Sequence, residues 1–389
     1  MSVFQKKIKL ALKNPQLAWH KAKVTLLDEN LAKWNYRFRG GYASPPNVIA
    51  ARLTNLCNCN CKMCGQPKVG DKGVPDSFFR DHLTIDQWKD LIDQVAGNKP
   101  NFYLWGGEPL IYKGIWDIVE HAKRRGLTVQ MNTNAQFLER HAETIVKLGM
   151  DDLIISIDGP EKVHDEIRGV PGLYQQIKAG IQKVQALKKQ HKKRNPVIRI
   201  RGVINPDYYD HLHDLIDITK DLEGDTLSFN HFWFTSNEKG QLYEKVMQKC
   251  FSTRATSWKG FVYEPNGLAL DELRVELDKL KNNNADFPIT VSPGVYNEGL
   301  EKYFYDLDET FGAKTCYSIY FKTYLMPNGD VTPCPDFPDY IAGNVREERF
   351  ADIWNGERYR DFRRHLKEHK LLPICARCCD LHVGNVAFF

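Results

Sequence analysis

The stretch Leu53-Thr54-Asn55-Leu56-Cys57-Asn58-Cys59-Asn60-Cys61-Lys62-Met63-Cys64 comes at the end of a short apolar run at 48–53. Its thiols stand in the spacing Cys57-x3-Cys61-x2-Cys64, which is met without Cys59. Thiolates are the ligands of iron–sulfur clusters, and a full set for a 4Fe–4S cube is four. Three close cysteines therefore leave one iron with an open position. An open iron can hold a substrate or a co-substrate, so this spacing points to chemistry more than to electron storage. Zinc is the competing reading, but a zinc site normally pairs Cys-x2-Cys knuckles with a fourth Cys or His. A disulfide framework does not suit a chain of this size without a signal peptide.

Working outward, the apolar runs recur. Strand-like segments are expected at 48–53, 102–105, 127–131, 153–157, 197–204 and 227–232. Helical patterns lie between them at 85–95, 114–125, 139–148, 174–189 and 210–221. Strands alternating with helices make a β/α repeat, hence an α/β fold with a parallel sheet and right-handed crossovers. Sites in such folds lie at the carboxyl ends of the strands, which is where the cysteine loop falls. Residues 1–45 read as an N-terminal helical extension with apolar and lysine positions interleaved, 46–240 as the β/α domain, 241–313 as a helical connector, and 314–389 as a distinct tail with half of all the cysteines.

Composition narrows the class. The chain has 389 residues, 42% hydrophobic and 26% charged, enough for one large domain and a smaller one. A net charge of +5 is too modest to argue for nucleic acid, and no apolar run approaches the roughly 20 residues a membrane span needs. Ten cysteines without an export signal suit a reducing cytoplasm and metal ligation. Cys250 has no partner in sequence and reads as a buried core thiol. The basic run from Lys188 to Arg194 reads as a solvated helix end.

Several strand ends carry candidate chemistry. The second ends in Trp105-Gly106-Gly107-Glu108-Pro109, where two glycines permit close backbone approach to a ligand or simply form a turn. The fourth ends in Ser156-Ile157-Asp158-Gly159, followed by Arg168. A hydroxyl and a carboxylate there can bond ribose hydroxyls, and the arginine fork suits a carboxylate; the alternative is a capped turn with a surface arginine. Asn132 and Asn134 line the same face after the third strand. In the sixth strand, period-two alternation puts His231 and Trp233 on one face, making them candidate substrate contacts, though a lone histidine is more often packed.

The tail holds a second constellation, Cys316-x12-Gly329-x4-Cys334 and then Cys375-x2-Cys378, with Cys379 adjacent as a substitute ligand. A hairpin at Pro327-Asn328-Gly329-Asp330 brings Cys316 and Cys334 together. Four thiolates can close one cluster; a structural zinc ribbon is the alternative.

From about residue 46 to 389 the chain resembles the radical SAM superfamily, in its subset with a C-terminal SPASM or twitch domain. The Cys57 loop is similar to that family's signature loop, Gly106 to Pro109 to its GGEP element, and the tail spacing, with Asn344 and Trp354 in the linker, to its auxiliary-cluster part. The resemblance implies a partial (β/α)6 TIM-type barrel with a small C-terminal iron–sulfur domain. It implies two 4Fe–4S clusters, one at Cys57, Cys61 and Cys64 that binds S-adenosyl-L-methionine and one auxiliary at Cys316, Cys334, Cys375 and Cys378. It further implies that Gly106, Gly107, Glu108, Pro109, Asn132, Ser156, Asp158 and Arg168 contact the co-substrate. A full SPASM tail carries more cysteines than this one, so one auxiliary cluster is expected. The implied activity is reductive cleavage of S-adenosylmethionine and hydrogen abstraction, with a one-electron donor such as flavodoxin or ferredoxin. The substrate is a ribosomally made peptide, brought by a separate recognition protein, or a sugar-like metabolite that is oxidised or epimerised. A non-catalytic metal-binding scaffold is the remaining alternative; it would not need Arg168 or the glycine element.

Overall fold

The computed structural model describes Gln5, Ile8, Ala11, Leu12 and Pro15 together with residues 29–205, 207–383 and 385–388. Most of the expected N-terminal extension lies outside the described residues. Its last part is a helix, α1 (Glu29–Phe38), which lays Tyr36 edge-on against Tyr317 of the tail, ring centroids 5.5 Å apart.

The β/α repeat follows in order: β1 (Val48–Arg52), α2 (Asp76–Arg80), α3 (Ile85–Val95), β2 (Asn101–Trp105), α4 (Ile115–Arg124), β3 (Thr128–Thr133), α5 (Leu138–Leu148), β4 (Asp152–Ser156), α6 (Glu161–Arg168), α7 (Leu173–Gln190), β5 (Val197–Ile204), α8 (Asp214–Asp221) and β6 (Thr226–His231). Local chemistry sets the boundaries. Thr84 and Gln87 form a reciprocal capping box at the start of α3. That helix buries Trp88, Leu91, Ile92 and Val95, the spacing of one helical face. The ends of α5 and α6 are Gly149 and Gly169, both left-handed.

β1 to β6 are parallel and neighbour one another in chain order. A doubly wound sheet would reverse its order at a switch point; sequential order with right-handed crossovers puts all helices on one side and curls the sheet toward a barrel. The helix-facing rows are apolar: Ile49, Ala51, Phe102, Leu104, Val129 and Ile155 are all buried. The opposite rows are mixed: Ala50, Tyr103, Trp105, Tyr324 and Met326 cluster on β1, β2 and the end of β8, and polar side chains stand on β3 to β5, where a TIM barrel would normally be filled with branched aliphatics. At their amino ends Asn101, Gln130, Asp152 and Arg199 form a chain of hydrogen bonds across four strands, at 2.6, 3.0 and 2.7 Å, making a polar floor.

One expectation is corrected here. The connector is not purely helical. After α9 (Asn237–Phe251) and α10 (Leu270–Lys281) it supplies β7 (Ile289–Ser292), parallel to β6, before α11 (Gly299–Tyr305). Four alternating residues among polar neighbours were too weak a signal, but the free edge of β6 needs a partner. The tail extends the same sheet. Its β8 (Lys322–Leu325) pairs parallel with β1, Val48 facing Lys322, and turns back through Gly329 (φ 92°) into β9 (Asp330–Thr332). Then come β10 (Gly343–Asn344), α12 (Phe350–Trp354), α13 (Glu357–His369) and β11 (Ala387–Phe388), which pairs with β7. The result is one sheet of eleven strands with the barrel strands in the middle. The expected burial of Cys250 fails, since it is exposed, and the basic run is solvated from Lys189 to Arg194 while Lys188 is buried with its ammonium on the Pro196 carbonyl at 2.7 Å.

Candidate functional site

The cysteine loop leaves the carboxyl end of β1 and is held from two sides. The amides of Asn60 and Lys62 donate to the carbonyls of Arg168 and Ile167 at the end of α6, at 3.1 and 2.9 Å. On the other side Gly107 and Glu108 donate to the carbonyls of Thr54 and Leu56, both at 2.8 Å. This explains the glycines. Gly106 has φ 144°, and a Cβ on Gly107 would stand 1.8 Å from the Leu56 carbonyl oxygen. Their small size lets the second strand end dock on the loop that carries the thiols.

Within the loop, Cys57 and Cys64 are exposed and Cys61 is half-buried. The Cys59 thiol bonds to Cys57, and with backbone amides and Arg168 it draws Cys57 down to about 6. Burial pushes Cys61 up, and Arg168 opposes that. Arg168 places Nη1 3.7 Å from the Cys61 sulfur and its Nε 2.7 Å from Asp158 Oδ2. Burial works against its charge, but Asp158 and Cys61 together hold the guanidinium firmly ionised. Arg168 is thus no surface arginine.

The neighbouring candidates divide into those that face the loop and those that brace it. Asn134 reaches Asn58 Oδ1 at 2.8 Å and the Cys57 sulfur at 3.9 Å. Asn132, in β3, has a buried Oδ1 with no partner, and Ser156 closes β4 close to Asp158. Glu108 is turned inward: it is 1% exposed, and its carboxylate accepts from the Leu110 and Asn134 amides and the Thr133 hydroxyl at 2.9, 2.7 and 2.6 Å. Burial lifts it to about 7 against those three donors. Its side chain ties the Gly106–Pro109 turn to β3, and Pro109 then opens a short 3-10 turn. Asp158 likewise has both oxygens engaged, one by Arg168 and one by the Val203 amide at 3.2 Å, so it positions Arg168. Both carboxylates are thus engaged within the protein, Glu108 by β3 and its own turn and Asp158 by Arg168 and β5.

In the tail, Cys316 precedes β8 and Cys334 follows β9, so the hairpin does bring these two ends together. Cys316, Cys334 and Cys375 lie in one another's electrostatic field, and burial pushes Cys316 up to about 12 and Cys375 to about 11. Cys378 bonds to the adjacent Cys379, the nearest alternative to it. Because β8 runs parallel beside β1, Cys316 lies at the amino ends of the strands and Cys57 at the carboxyl ends. Among the described residues no three His, Cys, Asp or Glu side chains converge on one point that could hold a single ion. Ligands of one zinc must all approach to about 2.3 Å of it, whereas cube ligands reach separate irons.

His231 is packed inside the protein. It is 4% exposed, its Nε2 donates to the Val295 carbonyl at 2.8 Å, and burial lowers it to about 4. Trp233 packs between Phe261 and Phe337, at 4.2 and 4.7 Å, with its Nε1 buried and unpartnered. Phe337 belongs to the segment after Cys334, which crosses from the tail to the connector; its Asp339 accepts from the amides of Thr256 and Ser257 at 2.9 and 3.1 Å. Between this segment, the cysteine loop and the hairpin tip lies a cavity of about 380 Å³ lined by Arg52, Asn55, Phe261, Met326 and Asp336 among others. Sequence reasoning missed Arg52. Its signal was a charge ending the run Val48-Ile49-Ala50-Ala51, on the row opposite the helix-facing one.

Residues 52–198 match the radical SAM superfamily, and residues 316–379 match SPASM, an iron–sulfur cluster-binding domain. Curated relatives include an AdoMet-dependent heme synthase of Methanosarcina barkeri, 27% identical and covering 86% of this chain and 91% of that protein. The sporulation killing factor maturation protein SkfB of Bacillus subtilis is 24% identical over 79% of this chain and 64% of its own length. Among solved structures, Streptococcus suis SuiB bound to S-adenosylmethionine overlays 98% of this chain and 84% of its own with a TM-score of 0.59 at 16% identity. Native anSMEcpe with AdoMet and the Cp18Cys peptide overlays 86% of this chain and 89% of its own, TM-score 0.54, at 15% identity. These structural likenesses show a shared fold. Among the described residues no helix is long and apolar enough to cross a membrane.

Proposed function

We propose that this protein, a radical SAM enzyme with a C-terminal SPASM domain, abstracts hydrogen from a substrate lodged in the barrel lumen and completes a net two-electron oxidation of it. The observation that carries this reading is the placement of two thiol sets at opposite ends of one sheet. β1 is five residues long, so the sets are separated by roughly 17 Å of strand at about 3.3 Å per residue, with the lumen between them. When bound, a 4Fe–4S cluster at Cys57, Cys61 and Cys64 supplies the electron that cleaves S-adenosylmethionine to methionine and a 5′-deoxyadenosyl radical, and one at the tail can take up the second substrate electron. The chain's own part is positional. Arg168, its Nε braced by Asp158 and its Nη1 on Cys61, offers Nη2 to the co-substrate carboxylate. Asn132 and Ser156 offer polar atoms on the same rim. Phe337 and Trp233 keep bulk water from the side of the lumen.

The favoured substrate is a residue of a ribosomally made peptide. The cavity supports this, since it opens between the cysteine loop, the connector and the hairpin tip, where an extended segment can enter; the likeness to SkfB adds to it. A separate recognition protein and a flavodoxin- or ferredoxin-type donor complete that reading. A haem precursor is the second reading, favoured by the relative that is matched over 91% of its length. The test is anaerobic reconstitution, followed by chemical reduction with S-adenosylmethionine. Brown protein releasing 5′-deoxyadenosine is expected; colourless protein, or no 5′-deoxyadenosine, rejects the reading.

A further inference from the structure

The lumen wall carries cations of two kinds. Arg199, Lys322 and Arg168 each face a carboxylate, Asp152 at 2.7 Å, Asp380 at 2.9 Å and Asp158 at 2.7 Å. Arg52 and Arg201 do not. Arg52, the last residue of β1, is 2% exposed and lines the 380 Å³ cavity, and its Nε has no hydrogen-bond partner. Among the described residues no carboxylate lies within ion-pair reach of it; Asp336 and Cys64 act on it only from farther away. The ring of Trp105 covers one face of the guanidinium at 5.4 Å, which leaves the edges of the fork toward the cavity. Arg201, midway along β5, touches hydroxyls only, Ser228 at 3.4 Å and Tyr103.

A buried guanidinium without a counter-charge is strongly unfavourable, and an arriving anion relieves it. A fork presented edge-on beside an aromatic face fits a planar oxyanion through two parallel hydrogen bonds. We propose that Arg52, seconded by Arg201, seats a carboxylate of the substrate in the lumen. The proposal rests on the radical SAM reading above and narrows its substrate to carboxylate-bearing molecules. That carboxylate can belong to an acidic residue of a peptide or to a small polycarboxylate, and the test separates the two.

Equilibrium dialysis against reconstituted holoenzyme uses two probe pairs. One is coproporphyrin III and its tetramethyl ester; the other is a hexapeptide with a single glutamate and its glutamine counterpart. The expected result is that the acid form of one pair binds wild type about tenfold or more tightly than its neutral form, the scale of a charged hydrogen-bonded pair. Arg52→Gln should remove that preference while leaving the neutral form's affinity as it was, and Arg52→Lys should restore part of it. A porphyrin response assigns a small polycarboxylate and a peptide response an acidic peptide. The proposal is overturned if wild type shows no acid preference in either pair, if Arg52→Gln retains the preference, or if inorganic phosphate competes as well as the acid probe. It is also overturned if Arg52→Gln weakens S-adenosylmethionine equally, which would assign Arg52 to the co-substrate. Should Arg52→Gln fail to hold iron, Arg52→Lys alone decides, an undiminished preference overturning the proposal. Release of 5′-deoxyadenosine by wild type tests the parent reading separately.

Discussion

The two cysteine regions differ in how the fold holds them. The loop thiols lie close together in sequence on the long connection between β1 and α2, with Cys57 and Cys64 exposed, and their geometry depends on bonds from Gly107, Glu108 and the end of α6. The tail thiols are spread over some sixty residues, from Cys316 to Cys378, and β8 and β9, folding back beside β1, bring Cys316 and Cys334 to one end of the sheet. They are half-buried, and burial raises Cys316, Cys334 and Cys375. A site meant to exchange a co-substrate needs an accessible open position; a site that relays an electron or fixes a domain does better enclosed. The two differ in exposure as well as in place.

The largest expected effect would break the comparison outright. Replacing Cys57, Cys61 and Cys64 together with Ala should abolish 5′-deoxyadenosine while leaving about four of about eight irons per chain. Iron analysis and chromatography check this, and a triple variant that still cleaves the co-substrate rejects the loop assignment. The complementary change, Cys334→Ala, should lower product about tenfold or more yet retain uncoupled 5′-deoxyadenosine release, with the tail less stable because metal binding contributes to its folding. Normal product formation by that variant would mean the tail site plays no part in turnover.

Arg168→Lys sharpens the loop side. Losing the fork while keeping the charge should weaken S-adenosylmethionine binding by about 1–3 kcal/mol, read as a rise in Kd with iron content intact. An unchanged Kd would restrict Arg168 to bracing the loop. The smallest effect concerns the packed barrel between the two sites. The folded pKa of His231 is about 4, below its unfolded value near 6.5. As pH falls through 6.5 the unfolded chain takes up the proton first, so stability drops between 6.5 and 4. His231→Gln, which keeps a donor for the Val295 carbonyl, should reduce the stability lost between pH 7.5 and 5.5 by about 1 kcal/mol. Denaturant titrations at both pH values would show this; an identical loss in both proteins would mean His231 protonates readily in the fold.

Much of the barrel was legible because it is local. Apolar runs placed β1 to β6 within two residues of their observed bounds, and a helical pattern placed α3, whose buried face is Trp88, Leu91, Ile92 and Val95. β7 was not legible, since Ile289-Thr290-Val291-Ser292 is a strand only beside the open edge of β6. In the site, the cysteines were legible from spacing alone. The roles of Glu108 and Asp158 were not, because a carboxylate at a strand end looks the same in sequence whether it faces a ligand or is taken up by Thr133 or Arg168.

By itself the sequence determined the candidate ligands and the repeat: the Cys57-x3-Cys61-x2-Cys64 spacing, five further cysteines in the tail, and strands alternating with helices. These are properties of neighbours along the chain. Only the tertiary structure decided that β8 lies beside β1, that the tail thiols therefore sit at the opposite end of the lumen, and that Arg52 faces that lumen without a counter-charge. Strand pairing across some 270 residues, from Val48 to Lys322, depends on which edges remain free once the barrel has formed. Pairing of charges depends in turn on which side chains that closure brings face to face.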